Sequence, residues 1–176
     1  MKSLVVYESL FGNTEQVARA IGRGLAEHCH VELCEVNDAP TVIPEELDLI
    51  VVGGPTHAFS MSSPSIRQGA FRQGASQGAA ALGVREWLGH QRRIPHTALV
   101  AMFDTRVGKV RHMPGSAARG AAKLAHKLGY AAAAKPQSFY VEDVTGPLAA
   151  GELDRAKSWG QRLGAQAAGR VTDHPR

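Results

Sequence analysis

The chain has 176 residues, a net charge of +4, 44% hydrophobic and 20% charged residues, which suits one globular domain with its own core and excludes a disordered chain. Its basic residues are scattered without a basic block or interleaved aromatics, so no nucleic-acid partner is expected. Cys29 and Cys34 are too few for a disulfide scaffold, the apolar opening Leu4 to Tyr7 is too short for a signal peptide, and no stretch approaches the ~18 apolar residues of a membrane span, so a cytoplasmic protein with free thiols is expected.

Leu4 to Tyr7 reads as a buried strand running into the turn Glu8-Ser9-Leu10-Phe11-Gly12-Asn13. Val17, Ala20, Ile21 and Leu25 then recur at helical spacing, and Asn13 with Gln16 predicts a capping box for a helix over 14–27. Val31 to Val36 predicts the second strand, Asp48 to Val52 a third that stops at Gly53-Gly54-Pro55, and Thr97 to Phe103 a fourth. Between the third and fourth, residues 60–78 read as a loop or a poorly patterned helix, followed by a helix over 79–88. A polar loop to Pro114, an alanine-rich helix over 116–128, a fifth strand within 132–141 and a last helix opening at Gly151-Glu152 complete the pattern. Residues 1–168 are one domain, and 169–176 are expected as a flexible tail. Trp87 and Trp159 fall on helical stripes and are expected in the core.

Strands alternating with helices imply parallel pairing and right-handed crossovers, a doubly wound α/β sandwich. In such a sheet, ligands bind beyond the carboxyl ends of the strands where strand order reverses, so the loops after strands one, three and four decide the function. The first loop lacks the glycine fingerprint of a dinucleotide site and the Lys of a triphosphate loop. It also has no cysteine nucleophile, and strand three ends in Gly53 where a phosphoacceptor would need an aspartate. What it has is three side chains that hydrogen-bond, a glycine for a tight turn, and at once a helix amino terminus. That is a cradle for a phosphate monoester, and equally an ordinary helix cap.

Ser9-Leu10-Phe11-Gly12-Asn13-Thr14 resembles the phosphate loop of flavodoxin-like FMN proteins, and Gly53-Gly54-Pro55-Thr56-His57 resembles the second flavin loop of the branch that includes FMN-dependent quinone reductases. The resemblance implies a three-layer sandwich with a five-stranded parallel sheet of order 2-1-3-4-5, helices on both faces, and FMN as cofactor. By position it places Ser9, Asn13 and Thr14 on the phosphate, with the backbone N–H groups from Leu10 through Phe11 and Gly12 to Glu15. Pro55, Thr56, His57 and Phe59 fall beside the ring and Asp104, Thr105 and Arg106 on its pyrimidine side, while Phe103 belongs to the flavin site or else ends a buried strand pointing into the core. The aromatic residues that short flavodoxins place after strand four and in the second loop are replaced by Phe103-Asp104-Thr105-Arg106 and His57-Ala58-Phe59, which implies weaker stacking, with Phe59 as a partial substitute.

Within that resemblance, Arg106 is a cation that would stabilise a reduced anionic flavin, or else a surface arginine. His57 is a proton donor to a bound quinone, or else a packed loop residue. His28 and His30 do not make a metal set with the cysteines, and no metal is expected. The implied function is an electron carrier working with a protein partner. One alternative is a small NAD(P)H-dependent quinone reductase with Arg67, Arg72 and Arg106 on the nicotinamide cofactor's phosphates. The other is a binding protein of the same shape that has lost FMN.

Overall fold

The computed structural model describes residues 1–75, 82–92 and 97–173, apart from the side chains of 171–173. Its central sheet is built on β1 (Lys2–Tyr7), flanked by β2 (His30–Glu35) on one side and β3 (Leu49–His57) on the other. β5 (Leu99–Val107) follows β3, and the far edge is shared by two short strands, β6 (Ala131–Ala132) and β7 (Gln137–Val141), both parallel to β5. With β6 and β7 taken as one interrupted strand, the order is the expected 2-1-3-4-5. The two-residue β4 (Ser60–Met61) is an antiparallel return on β3.

Helices α1 (Asn13–Leu25) and α5 (Glu152–Asp173) cover one face, and α3 (Val84–Gly89) and α4 (Ala117–Lys127) the other. Both faces of the central strands are therefore buried, and β1, β3 and β5 carry apolar runs, while the edge strand β2 alternates and is only partly buried. Alternation in β1 sends Val5 and Tyr7 toward Val17, Ile21 and Trp159, and Leu4 and Val6 toward Trp87, Leu88 and Ala121. Both tryptophans are in the core, as expected. The short α2 (Pro64–Arg72) fills the segment read as a loop or weak helix; Ser63 caps it and Pro64 opens it. Among the described residues no helix is long and apolar enough to cross a membrane.

Four boundaries differ from the sequence reading, each for a physical reason. β3 does not stop at Gly53, because β5 runs beside it and pairs Gly53 with Phe103, Gly54 with Asp104 and Pro55 with Thr105. β1 ends opposite Gly53, so Pro55 lies where β3 has a neighbour on one side only and proline is tolerated. For the same reason the fourth strand continues past Phe103 to Val107. Helix α5 runs to Asp173, so 169–173 are helical rather than a tail, and Ala167 is buried as part of its core stripe. The helix expected over 79–88 begins at Val84, and 76–81 lie outside the described residues.

Candidate functional site

The amino end of α1 is not closed by the capping box that Asn13 and Gln16 suggested. Its N-cap is Gly12, at φ 82°, with no side-chain cap. A positive φ there swings the chain from the loop into the helix, and a side chain at that position would be strained even though the space around it is open. The cap comes from farther back, where the Glu15 amide donates to Ser9 Oγ at 3.2 Å. Asn13 is drawn away by a bond from its Nδ2 to the Thr145 carbonyl at 3.0 Å, which fastens the β7–α5 loop over the site.

No hydrogen bond within the described residues takes up the backbone N–H groups of Leu10, Phe11, Gly12, Asn13 or Thr14. Orphan donors at the positive end of a helix dipole attract an anion. Ser9 uses an acceptor site on the Glu15 amide, so its own hydroxyl hydrogen can be donated. Thr14 Oγ1 sits 2.7 Å from Thr105 Oγ1, and it too can donate outward when Thr105 supplies the shared hydrogen. The set fits a phosphate monoester without Lys or Arg.

Leu10, Phe11, Asn13 and Thr14, though not Ser9 or Gly12, line an open cleft of about 60 Å³ together with Pro55, Thr56, His57, Thr105, Arg106, Val107, Val141 and Val144. The first and second expected loops thus meet at one place. Thr56 is also tied to the neighbouring helix, its Oγ1 accepting from the Ala117 amide at 2.8 Å. Among the described residues His57 Nε2 has no hydrogen-bond partner, and burial pushes its imidazole below the ordinary histidine range, which favours the neutral ring near pH 7. After it, Ala58 and Phe59 turn the chain back with φ of 45° and 62°.

The third expected loop is strand, and this redistributes its residues. Phe103 is 1% exposed and lies edge-on to Phe139 at 6.2 Å and Trp159 at 6.4 Å, over Gly53, where a Cβ would collide with its ring. It is a core residue and does not line the cleft. Asp104 is fully buried, and its Oδ2 accepts from the Ala118 amide at 2.9 Å, capping α4 rather than meeting a ligand. Thr105 and Arg106 do line the cleft. The Arg106 guanidinium is occupied, donating to the carbonyls of Val110 (2.6 Å), Gly115 (3.2 Å) and Met113 (3.3 Å), and so organises the loop after β5.

Phe59 is 40% exposed beside the cleft rather than in its lining, and Phe11 is the phenyl ring in the wall. The sequence reading missed Val107, Val141 and Val144; their only signal was position at the carboxyl ends of the fourth and fifth strands. Arg67, assigned to a nicotinamide phosphate in the reductase alternative, is buried and paired with Glu86 at 3.0 Å. Cys29 and Cys34 are free thiols, and burial with the nearby carboxylates of Glu32, Asp38 and Glu35 pushes Cys34 up to about 11, which favours the protonated thiol at neutral pH.

No protein-family model and no curated protein matches the sequence. Among solved structures the chain is similar to a flavodoxin from the domain Archaea, with 19% identity, a TM-score of 0.64, and coverage of 95% of this chain and 99% of that one. It is also similar to the rubredoxin oxygen:oxidoreductase of Desulfovibrio gigas at 15% identity and TM-score 0.65, covering 97% of this chain and 37% of that one. A third likeness is to a flavodoxin, WrbA-like protein from Agrobacterium tumefaciens, at 18% identity and TM-score 0.55, covering 94% and 96%. The fold is flavodoxin-like, and its first two strand-end loops form the cleft just described.

Proposed function

We propose that the protein binds FMN and works as a flavodoxin-like redox carrier, exchanging electrons with a protein partner. The observation that carries this reading is the row of unclaimed amide donors from Leu10 to Thr14, opening onto the same cleft as Pro55, Thr56 and His57. When bound there, FMN supplies reversible one- and two-electron transfer.

The chain's own part is to hold and orient. The amides of the first loop, with the Ser9 and Thr14 hydroxyls, take the phosphate, and Phe11, Pro55 and Val144 offer apolar contact to the ring. Thr56, already bonded to α4, fixes the second wall, and neutral His57 presents an unpaired Nε2 to the ring's polar edge. The open cleft leaves an edge of the ring accessible to a partner. A carrier is favoured over the nicotinamide-dependent reductase because two of the three arginines that reading uses are engaged, Arg67 in a buried ion pair and Arg106 on three carbonyls, leaving the exposed Arg72 by itself.

The test is the visible spectrum of the purified protein before and after FMN, followed by NADPH oxidation with a quinone acceptor. The proposal expects a bound-flavin spectrum with submillimolar affinity and negligible turnover. Failure to take up FMN would favour the cofactor-free alternative, and rapid turnover would favour the reductase.

A further inference from the structure

Glu8 separates the end of β1 from Ser9, yet its side chain points away from the cleft into a dry interior, among the most buried charged positions in the fold. Its Oε1 accepts the Ser62 hydroxyl, and its Oε2 accepts the Val84 amide at 2.9 Å. Ser62 in turn accepts from Arg67 Nη1 at 2.9 Å, while Arg67 Nη2 reaches Glu86 Oε2 at 3.0 Å. Arg85 grips the same segment from outside, donating to the carbonyls of Ser62 (3.2 Å) and Met61 (2.8 Å) and to Ser60 Oγ (3.1 Å). One carboxylate just past β1 and two arginines from α2 and α3 therefore converge on Ser60, Met61 and Ser62.

That segment is the return arm of the turn beside the cleft. It pairs with β3 at only two positions, Thr56 with Met61 and His57 with Ser60. An isolated ribbon of that length does not hold itself together. Ala58 and Phe59 both have positive φ, which a Cβ disfavours, and such strain persists only where the surroundings over-determine the backbone. The convergence on Ser62 supplies part of that surrounding, together with Gly115, where a Cβ would meet the Phe59 backbone, and Met61, which is buried in the core against α4.

We propose that Glu8 is a positioning residue. Through Ser62, and with Arg67 and Arg85, it fixes the Ala58–Phe59 turn and with it the Pro55–His57 wall relative to the phosphate loop that begins one residue after it. The proposal rests on the flavin reading of the cleft and adds that phosphate and ring sites are held in register from beneath by a buried carboxylate.

The experiment compares wild type with Glu8→Gln, which keeps the shape and removes the charge, and with Ser62→Ala, which cuts the link and leaves Glu8 its Val84 bond. Amide hydrogen exchange is followed in the flavin-free protein, and FMN and riboflavin are titrated separately. The expected result is faster exchange at His57 to Met61, by about tenfold or more, with β1 and the β1-paired part of β3 unchanged. Affinities for FMN and riboflavin should fall by the same factor, about tenfold or more, because the ring wall loses the charge-assisted Glu8–Ser62 bond that fixes it from beneath. Unchanged exchange at those amides overturns the proposal whatever the flavins do, and so does a loss confined to FMN, which would place Glu8's effect on the phosphate loop. If wild type binds neither flavin, the flavin reading fails by itself and the exchange result alone decides whether the clamp exists.

Discussion

The double substitution Ser9→Ala, Thr14→Ala removes two hydroxyl donors from the phosphate cradle while leaving its backbone donors in place. Ser9 Oγ already accepts the Glu15 amide at 3.2 Å and keeps its hydrogen for a phosphate, and Thr14 Oγ1, 2.7 Å from Thr105 Oγ1, keeps its own when Thr105 donates the shared one. Hydrogen bonds to a charged group contribute roughly 1.5–3 kcal/mol each, so both together amount to about 3–6 kcal/mol and a loss of FMN affinity of at least ~100-fold. Ser9 also caps α1, so its loss costs about 0.5–2 kcal/mol of fold stability, which urea denaturation measures separately. The assay is quenching of flavin fluorescence on titration with FMN and with riboflavin, which lacks the phosphate. FMN affinity should collapse toward that of riboflavin while riboflavin binding stays where it was. Equal FMN affinity in variant and wild type, or a parallel loss of both flavins, would refute the phosphate assignment.

Three further outcomes follow from the geometry. Phe103→Ala should destabilise the fold by about 3–5 kcal/mol in denaturant titration, because its ring is in the core against Phe139 and Trp159, and residual folded protein should bind flavin normally. Arg106→Gln should loosen the loop from Val110 to Gly115, seen as faster amide exchange there, since a shorter uncharged amide cannot reach three carbonyls. Burial raises the Glu8 carboxyl above its ordinary range near about 4.3, with the Ser62 and Val84 hydrogen bonds and Arg67 opposing the rise. Because the folded value lies above the unfolded one, this group's contribution to stability is full below the unfolded pKa and is lost as pH rises through the folded one. Denaturation midpoints should therefore fall over that interval in wild type and fall less in Glu8→Gln; identical pH profiles would contradict it.

Much of the fold was legible because apolar runs of strand length alternate with helical stripes, and residues such as Val17, Ile21 and Trp159 land where periodicity puts them. The strand ends were not legible. Gly53, Gly54 and Pro55 look like a stop in one dimension, yet β5 supplies a ladder partner for each of them, a contact that only the three-dimensional sheet provides. The same extension moved Asp104 out of a loop and into a helix cap. The turn from Ser9 to Thr14 and the helix that follows it were readable because glycine, hydroxyl and helix start are local features. The clamp of Glu8, Ser62, Arg67 and Arg85 was not, because its members are far apart in sequence and none has a distinctive neighbour pattern.

The most direct test of the phosphate cradle is an amide-resolved NMR titration of the protein with FMN and, in parallel, with riboflavin. The account predicts that FMN shifts the Leu10 to Thr14 amides strongly downfield, as donors to a dianion, and that riboflavin leaves them nearly unmoved while both flavins perturb Thr56 and His57. Saturating FMN with no change at Leu10 to Thr14 would contradict it.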